Sequence, residues 1–249
     1  MDAPDAPLRV LSAGSIRTAV GRVAALYAEA GGTLPDVEFT SAPKVRDRLL
    51  AGEYADVVIA SSAALDALAV HSLIVGCTRT TVGSTGMAIV VAARTCVPDL
   101  STEQAFATAM RAADTVIHNQ GSSGMHAAVV LDRIGLGGPA GPKVCVAENG
   151  AALFALLEVL PGKVYGLANT TNIADQLAKG AALKQVAPLP GSLQTSTCYE
   201  AAASAGSSHP GRAASFTHLF SARQARQRIA AAGLQQDFEL AGCRPGEVG

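Results

Sequence analysis

An excess of charge of either sign is missing from this chain. Its 249 residues carry 19 Lys and Arg against 20 Asp and Glu, a formal net charge of -1. Nothing in that balance points to nucleic acid or an anionic membrane surface as a partner. Long apolar runs are missing too: the run from Ala88 to Ala93 is strand-sized, far short of the ~18 residues of a membrane span. No membrane insertion is expected. The five cysteines, Cys77, Cys96, Cys145, Cys198 and Cys243, are odd in number, widely spaced and without a Cys-x-x-Cys pair. That spacing supports neither a metal site nor a disulfide framework, and casts them as mostly buried, small apolar side chains. The histidines, His71, His118, His126, His209 and His218, show no metal-ligand spacing. No metal and no cofactor is expected.

There is no Gly-x-Ser-x-Gly elbow, and no acid–base partner can be assigned to a serine nucleophile. Internal repeats of fixed period, low-complexity tracts and charge runs are absent as well. The first residues, Met1 to Pro7, are acidic and proline-rich, unlike the basic start and apolar core of a secretory signal. As written, the chain is expected in the cytoplasm, or in the periplasm if a leader has been removed from it.

What remains is 49% hydrophobic and 16% charged, enough to build one large domain or two modest ones. The stretch Leu8 to Thr18 reads as an apolar strand, a tight Gly14 turn, and Ser15 at the N-cap of a helix continued by Ala19, Val20, Val23, Ala24, Leu26 and Tyr27. A strand that stops at a helix start leaves backbone N–H groups without partners. With the helix dipole and a serine hydroxyl they suit an anion. The same serine also suits plain capping.

Strand and helix then alternate, as in a mainly parallel sheet. Val37–Thr40 is a strand, Ser41-Ala42-Pro43 a turn and Val45–Ala51 a helix. Ala55–Ala60 is a strand apolar enough to be buried on both faces, and Ser61-Ser62 caps a helix. Thr85–Ala93 and Asp114–His118 are strands, the second ending in Asn119-Gln120-Gly121-Ser122-Ser123-Gly124 before a helix from Met125. A Gly/Pro loop spans 135–142. Further strands are expected at Lys143–Ala147, Val164–Ala168, Leu183–Ala187 and Ser196–Ala203, and two helices close the chain. The tail from Gly242 looks loose.

This order of strands and corners resembles the type II periplasmic (solute) binding proteins, and most of all their molybdate-binding branch. The likeness is carried by the Ala13-Gly14-Ser15 corner, by Ala55-Asp56-Val57-Val58-Ile59-Ala60, by Pro98-Asp99-Leu100-Ser101 and by Gly121-Ser122-Ser123-Gly124. It continues through Pro188-Leu189-Pro190 to Phe216-x-x-Leu-Phe-Ser and Ala232-Gly233-Leu234. The resemblance implies an α/β, two-lobed fold with mixed, mainly parallel sheets and a ligand cleft between the lobes. One lobe would be 1–84 with 197–249, the other 85–196, crossing near Gly83–Gly86 and Leu193–Cys198.

The resemblance also implies site residues. Ser15 matches the first oxyanion-binding serine. Ala42 falls on the second position, with Ser41 one place early. Ser122 and Ser123 match the third, and Asn169 stands where the branch often has a tyrosine. Arg17, Lys44 and His126 lie beside these corners. Cations there suit a carboxylate-bearing ligand better than a small oxyanion. Each also has a structural role open to it: Arg17 and Lys44 as solvated helix residues, His126 as an ordinary helix residue, Asn169 as a cap.

Two functions are implied. One is a substrate-binding protein for a small anion, partnered, if exported, by the membrane component of an ABC transporter. The other follows because the branch also includes aconitate isomerase: a cis–trans or allylic isomerase of an unsaturated carboxylate. That reaction needs a proton-transfer group, for which Lys44, His126 and Tyr199 are the candidates.

Overall fold

The computed structural model describes residues 6–137 and 143–236. The tail from Gly242 and the loop at 138–142 lie outside the described residues. The chain runs β1 Arg9–Ala13, a 3-10 turn Gly14–Ile16, α1 Arg17–Glu29, β2 Asp36–Thr40, α2 Ala42–Leu50, β3 Val57–Ser61 and α3 Ser62–Val70. Next come β4 Thr80–Ala92, α4 Glu103–Arg111, β5 Thr115–Asn119, α5 Ser122–Arg133, β6 Lys143–Ala147 and α6 Gly150–Val159. The rest is β7 Val164–Asn169, α7 Thr170–Ala178, β8 Leu183–Pro188, a 3-10 turn Gly191–Leu193, β9 Ser196–Ala203, α8 Pro210–Leu219 and α9 Arg223–Ala230.

Two compact units divide the chain: Met1–Ser84 with Thr197–Gly249, and Thr85–Ser196. In the first unit the strand order is β2-β1-β3-β9. β1 lies parallel to β2 and β3, whereas β9 is antiparallel to β3, with Ser61 opposite Tyr199. In the second unit the order is β8-β4-β7-β5-β6. β5 is parallel to β6 and β7, and β4 is antiparallel to β7 and β8. The sheets are mixed, and the expected α/β class is seen.

Burial follows from side-chain pattern. All of β3 is buried, as a strand covered on both faces requires. The first unit has one large apolar cluster, in which Val20 and Val23 of α1 meet Ile59 of β3 and Phe216 of α8. In the second unit β4 alternates: Met87, Ile89 and Val91 serve one cluster, while Ala88 and Val90 serve another. That period of two places a core on each face of the sheet.

A polar knot in the first unit ties the residue before β3 to the start of β1 and to the turn before α8. The Asp56 carboxylate accepts from Tyr54 Oη (2.5 Å), Ser207 Oγ (2.7 Å) and the Arg9 N–H (2.8 Å). Burial alone would raise its pKa. The hydrogen bonds, with the charge of His209, outweigh it and hold the carboxyl below its ordinary value.

The cysteines depart from expectation. Cys77 and Cys96 are exposed and Cys145 is half-buried, all three free. Cys198 is held in a disulfide whose partner lies outside the described residues. Spacing along the chain carries no information about such long-range pairing.

Candidate functional site at the strand-to-helix corners

In the first unit three strands lead into helices, β2 and β3 directly and β1 through a tight turn. After β1 the chain tightens into the 3-10 turn before α1, so Ser15 lies inside that turn and Ile16 takes the N-cap of α1. The expected capping role of Ser15 is therefore corrected, because a tight turn separates strand from helix. At the end of β2, Ser41 is the N-cap of α2 and its Oγ accepts from the Lys44 N–H (3.4 Å). Ala42 is the first helical residue and is buried; Pro43 follows, where a missing N–H costs nothing. After β3, Ser61 caps α3, and Ser62 donates to the Cys198 carbonyl (3.4 Å). Arg79 braces this corner by donating to the Ser62 carbonyl (3.2 Å) while pairing with Asp66 (2.6 Å) and the buried Glu200.

The guanidinium of Arg17 stands over the Phe39 ring, 4.1 Å from its centroid. Phe39 is the penultimate residue of β2, so the ring holds an exposed cation beside both the Ser15 and the Ser41 corners. Stacking occupies the face of the guanidinium and leaves its N–H edge open. Among the described residues Arg17 has no hydrogen bond and no ion pair. Lys44 is exposed in the first turn of α2. None of α1, α2 and α3 has an acidic residue in its first turn, so their positive ends are not neutralised from within.

The second unit builds its corners after β5 and β7 from neutral groups, while Glu148 stands exposed at the corner after β6. Asn119 ends β5, and its Oδ1 accepts from the Gly121 N–H (2.7 Å). Gly121 caps α5, which begins at Ser122, three residues earlier than expected. Ser123 is buried. Gly124 must be glycine, since a Cβ there would overlap the Asn119 carbonyl. Asn169 is wholly buried at the cap of α7. Beside it the Thr170 and Thr85 hydroxyls lie 2.9 Å apart, and Thr171 donates to Thr85 (3.4 Å). At the third corner Asn149 caps α6 through the Ala152 N–H (3.0 Å). α5, α6 and α7 also lack acidic residues in the first turn.

Thr85, Thr170, Thr171 and Asn149 were not among the residues picked out of the sequence. Asn149-Gly150 after a short strand is a legible cap signal. Thr85 is not legible, because it meets Thr170 only through the fold.

Two candidates for proton transfer are engaged elsewhere. His126 donates from Nε2 to the Leu193 carbonyl (3.0 Å), an acceptor only, so that nitrogen carries a proton. Tyr199 lies within the apolar cluster of the first unit, 1% exposed. Among the described residues no group of three or more His, Cys, Asp or Glu is placed to hold a metal. No helix there is long and apolar enough to cross a membrane.

Residues 8–235 match the family of bacterial extracellular solute-binding proteins. The chain belongs to that family. This solute-binding protein is 26% identical over 243 residues to an aconitate isomerase from Pseudomonas sp., covering 93% of this chain and 88% of that protein. Its fold is that of a sulfate-binding protein from Mycobacterium tuberculosis, with a TM-score of 0.76 at 14% identity over 95% of this chain and 89% of that one. The periplasmic molybdate-binding protein of Azotobacter vinelandii is similar too, with a TM-score of 0.71 at 16% identity over 91% of this chain and 98% of that one. The expected two-lobed α/β fold of the type II periplasmic binding proteins is thereby seen.

Proposed function

We propose that this solute-binding protein takes a small organic polyanion, a di- or tricarboxylate, at strand-to-helix corners and delivers it to the membrane component of an ABC transporter. Arg17 carries the reading. An exposed guanidinium, stacked on Phe39 and without an acidic partner among the described residues, is pre-set for a carboxylate, which it meets edge-on with two N–H groups. Lys44 in the first turn of α2 adds a second cation nearby. Ser15, Ser41, Ser122, Ser123 and Thr170, with the N–H groups of Ala42 and the other helix-start residues, supply neutral donors for the remaining oxygens. Desolvating a polyanion is costly unless each oxygen is bonded, and the two kinds of donor together meet that need. The disulfide at Cys198 supports a life in an oxidising compartment such as the periplasm.

A thermal-shift panel tests this. A ligand that binds the native state at about 100 times its Kd stabilises it by about 2.7 kcal/mol. Citrate, aconitate and short dicarboxylates raise Tm, and molybdate, tungstate and phosphate raise it less. A shift with molybdate alone overturns the carboxylate reading.

The second reading, an isomerase of an unsaturated carboxylate, is favoured by the similarity to aconitate isomerase. With His126 hydrogen-bonded to the Leu193 carbonyl and Tyr199 buried in an apolar cluster, proton transfer would fall to Lys44. Turnover is read as a change in the ultraviolet absorbance of cis- or trans-aconitate. Its absence at substrate concentrations that shift Tm leaves the binding function alone.

A further inference from the structure

Near the start of β9, Cys198 is buried, 8% exposed, and held in a disulfide. The sequence has five cysteines. Cys77, Cys96 and Cys145 are free thiols. The fifth, Cys243, lies outside the described residues.

We infer that Cys198 is bonded to Cys243, so that the disulfide closes a covalent loop through residues 198–243. Both cysteines belong to the first unit, and the loop between them holds most of β9, α8 and α9. Chain length permits the bond. The last described residue before Cys243 is Gln236, which donates to the Val82 carbonyl (3.3 Å) and accepts from Arg226 (2.7 Å). Seven residues onward the chain reaches up to ~24 Å, against a radius of gyration of about 14 Å for a unit of this size. Formation is a thiol–disulfide exchange with a disulfide-bearing oxidant. Two S–H bonds break and one S–S bond forms; two electrons and two protons pass to the oxidant, whose disulfide becomes two thiols.

The role of the bond follows from what the loop packs against. α9 meets α1 through a reciprocal pair: Arg22 donates to the Arg228 carbonyl (3.1 Å), and Arg228 donates to the Arg22 carbonyl (3.3 Å) and to the Glu29 carboxylate (2.6 Å). α8 sets Phe216 edge-on to Tyr27 of α1, with ring centroids 5.3 Å apart. At the β9 end of the loop the Cys198 carbonyl accepts from Ser62 Oγ (3.4 Å), at the corner after β3. The crosslink thus ties the helices that back α1 to the strand beside the Ser61–Ser62 corner. Closing a loop this long acts mainly by restricting the unfolded chain. The bond is a brace of the first unit, and its effect is read in stability. It stands apart from the ligand reading, because its tests use no ligand.

Peptide mapping tests the pairing. The unaltered protein is denatured in iodoacetamide without reductant, digested with trypsin and weighed. Cys77, Cys96 and Cys145 are alkylated. The 185–212 peptide, which carries Cys198, is found joined to the peptide that carries Cys243, about 2 Da below the sum of the two thiol peptides. Alkylated Cys198, or Cys198 joined to any other cysteine, overturns the pairing. Thermal unfolding tests the brace. Cys243→Ser lowers Tm by about 5–10 °C, and a phosphine reductant lowers the Tm of the unaltered protein as much. The reductant leaves the Tm of Cys243→Ser where it was. If that variant does not fold, oxidised and reduced unaltered protein make the comparison. A Tm indifferent to the reductant overturns the brace, as does an equal fall in Cys243→Ser.

Discussion

The corners of the first unit are charged, and those at β5 and β7 of the second are not. Arg17 and Lys44 stand at the first set. Asn119, Ser122, Ser123, Asn169 and Thr170 make up the second. The packing differs in the same direction. A Cβ at Gly14 would make only ordinary contact with the Thr40 carbonyl, at 3.5 Å, whereas one at Gly124 would overlap the Asn119 carbonyl. In our reading the first unit selects for charge with groups that have room to adjust. The second fixes hydrogen-bond geometry with groups that do not.

The largest expected effect breaks or confirms the packing half of this contrast. Gly124→Ala forces a backbone shift and costs upward of about 3 kcal/mol, while Gly14→Ala costs less than about 1 kcal/mol. Urea unfolding of the two variants measures both; equal losses would erase the distinction. Next comes charge. Arg17→Met keeps the aliphatic stem and removes the guanidinium, so carboxylate affinity falls by about 1.5–3 kcal/mol, roughly 10- to 100-fold, with unchanged Tm. Calorimetric titration reads it, and normal affinity would make Arg17 a solvated helix residue.

Asp56 concerns the stability of the first unit rather than its site. Its native pKa lies below the ordinary 3.8. The stability it contributes is therefore complete above the unfolded value and is lost as pH falls through the native one. Asp56→Asn costs about 1–2 kcal/mol at neutral pH and flattens the acid limb of stability against pH. An unaltered acid limb would show that the knot does not control it. The smallest effect is Ser123→Ala, a neutral donor lost from the second unit, at about 0.5–1.5 kcal/mol of ligand affinity. A loss larger than that of Arg17→Met would reverse the roles of the two units.

Much of the architecture is legible in the sequence because it is local. The near-continuous apolar run of β3 and the Gly/Ser corners declare parallel strands and helix starts. Element ends are read less well. Ser122-Ser123-Gly124 looks like loop because these residues are poor in helix interiors, yet Ser is well suited to the first turn of a helix, where α5 puts it. The turn that places Ser15 outside the cap of α1 has no sequence mark of its own. Long-range meetings are not legible at all. Nothing in the spacing places Arg17 on Phe39, Thr85 beside Thr170, or His126 on the Leu193 carbonyl.

The most direct test of the central claim is isothermal calorimetry of the unaltered protein against citrate, trans-aconitate and molybdate in one buffer at one ionic strength. Cations at the corners of the first unit, Arg17 and Lys44, predict that a di- or tricarboxylate binds more tightly than molybdate. Tight molybdate binding with no heat from any carboxylate would contradict it.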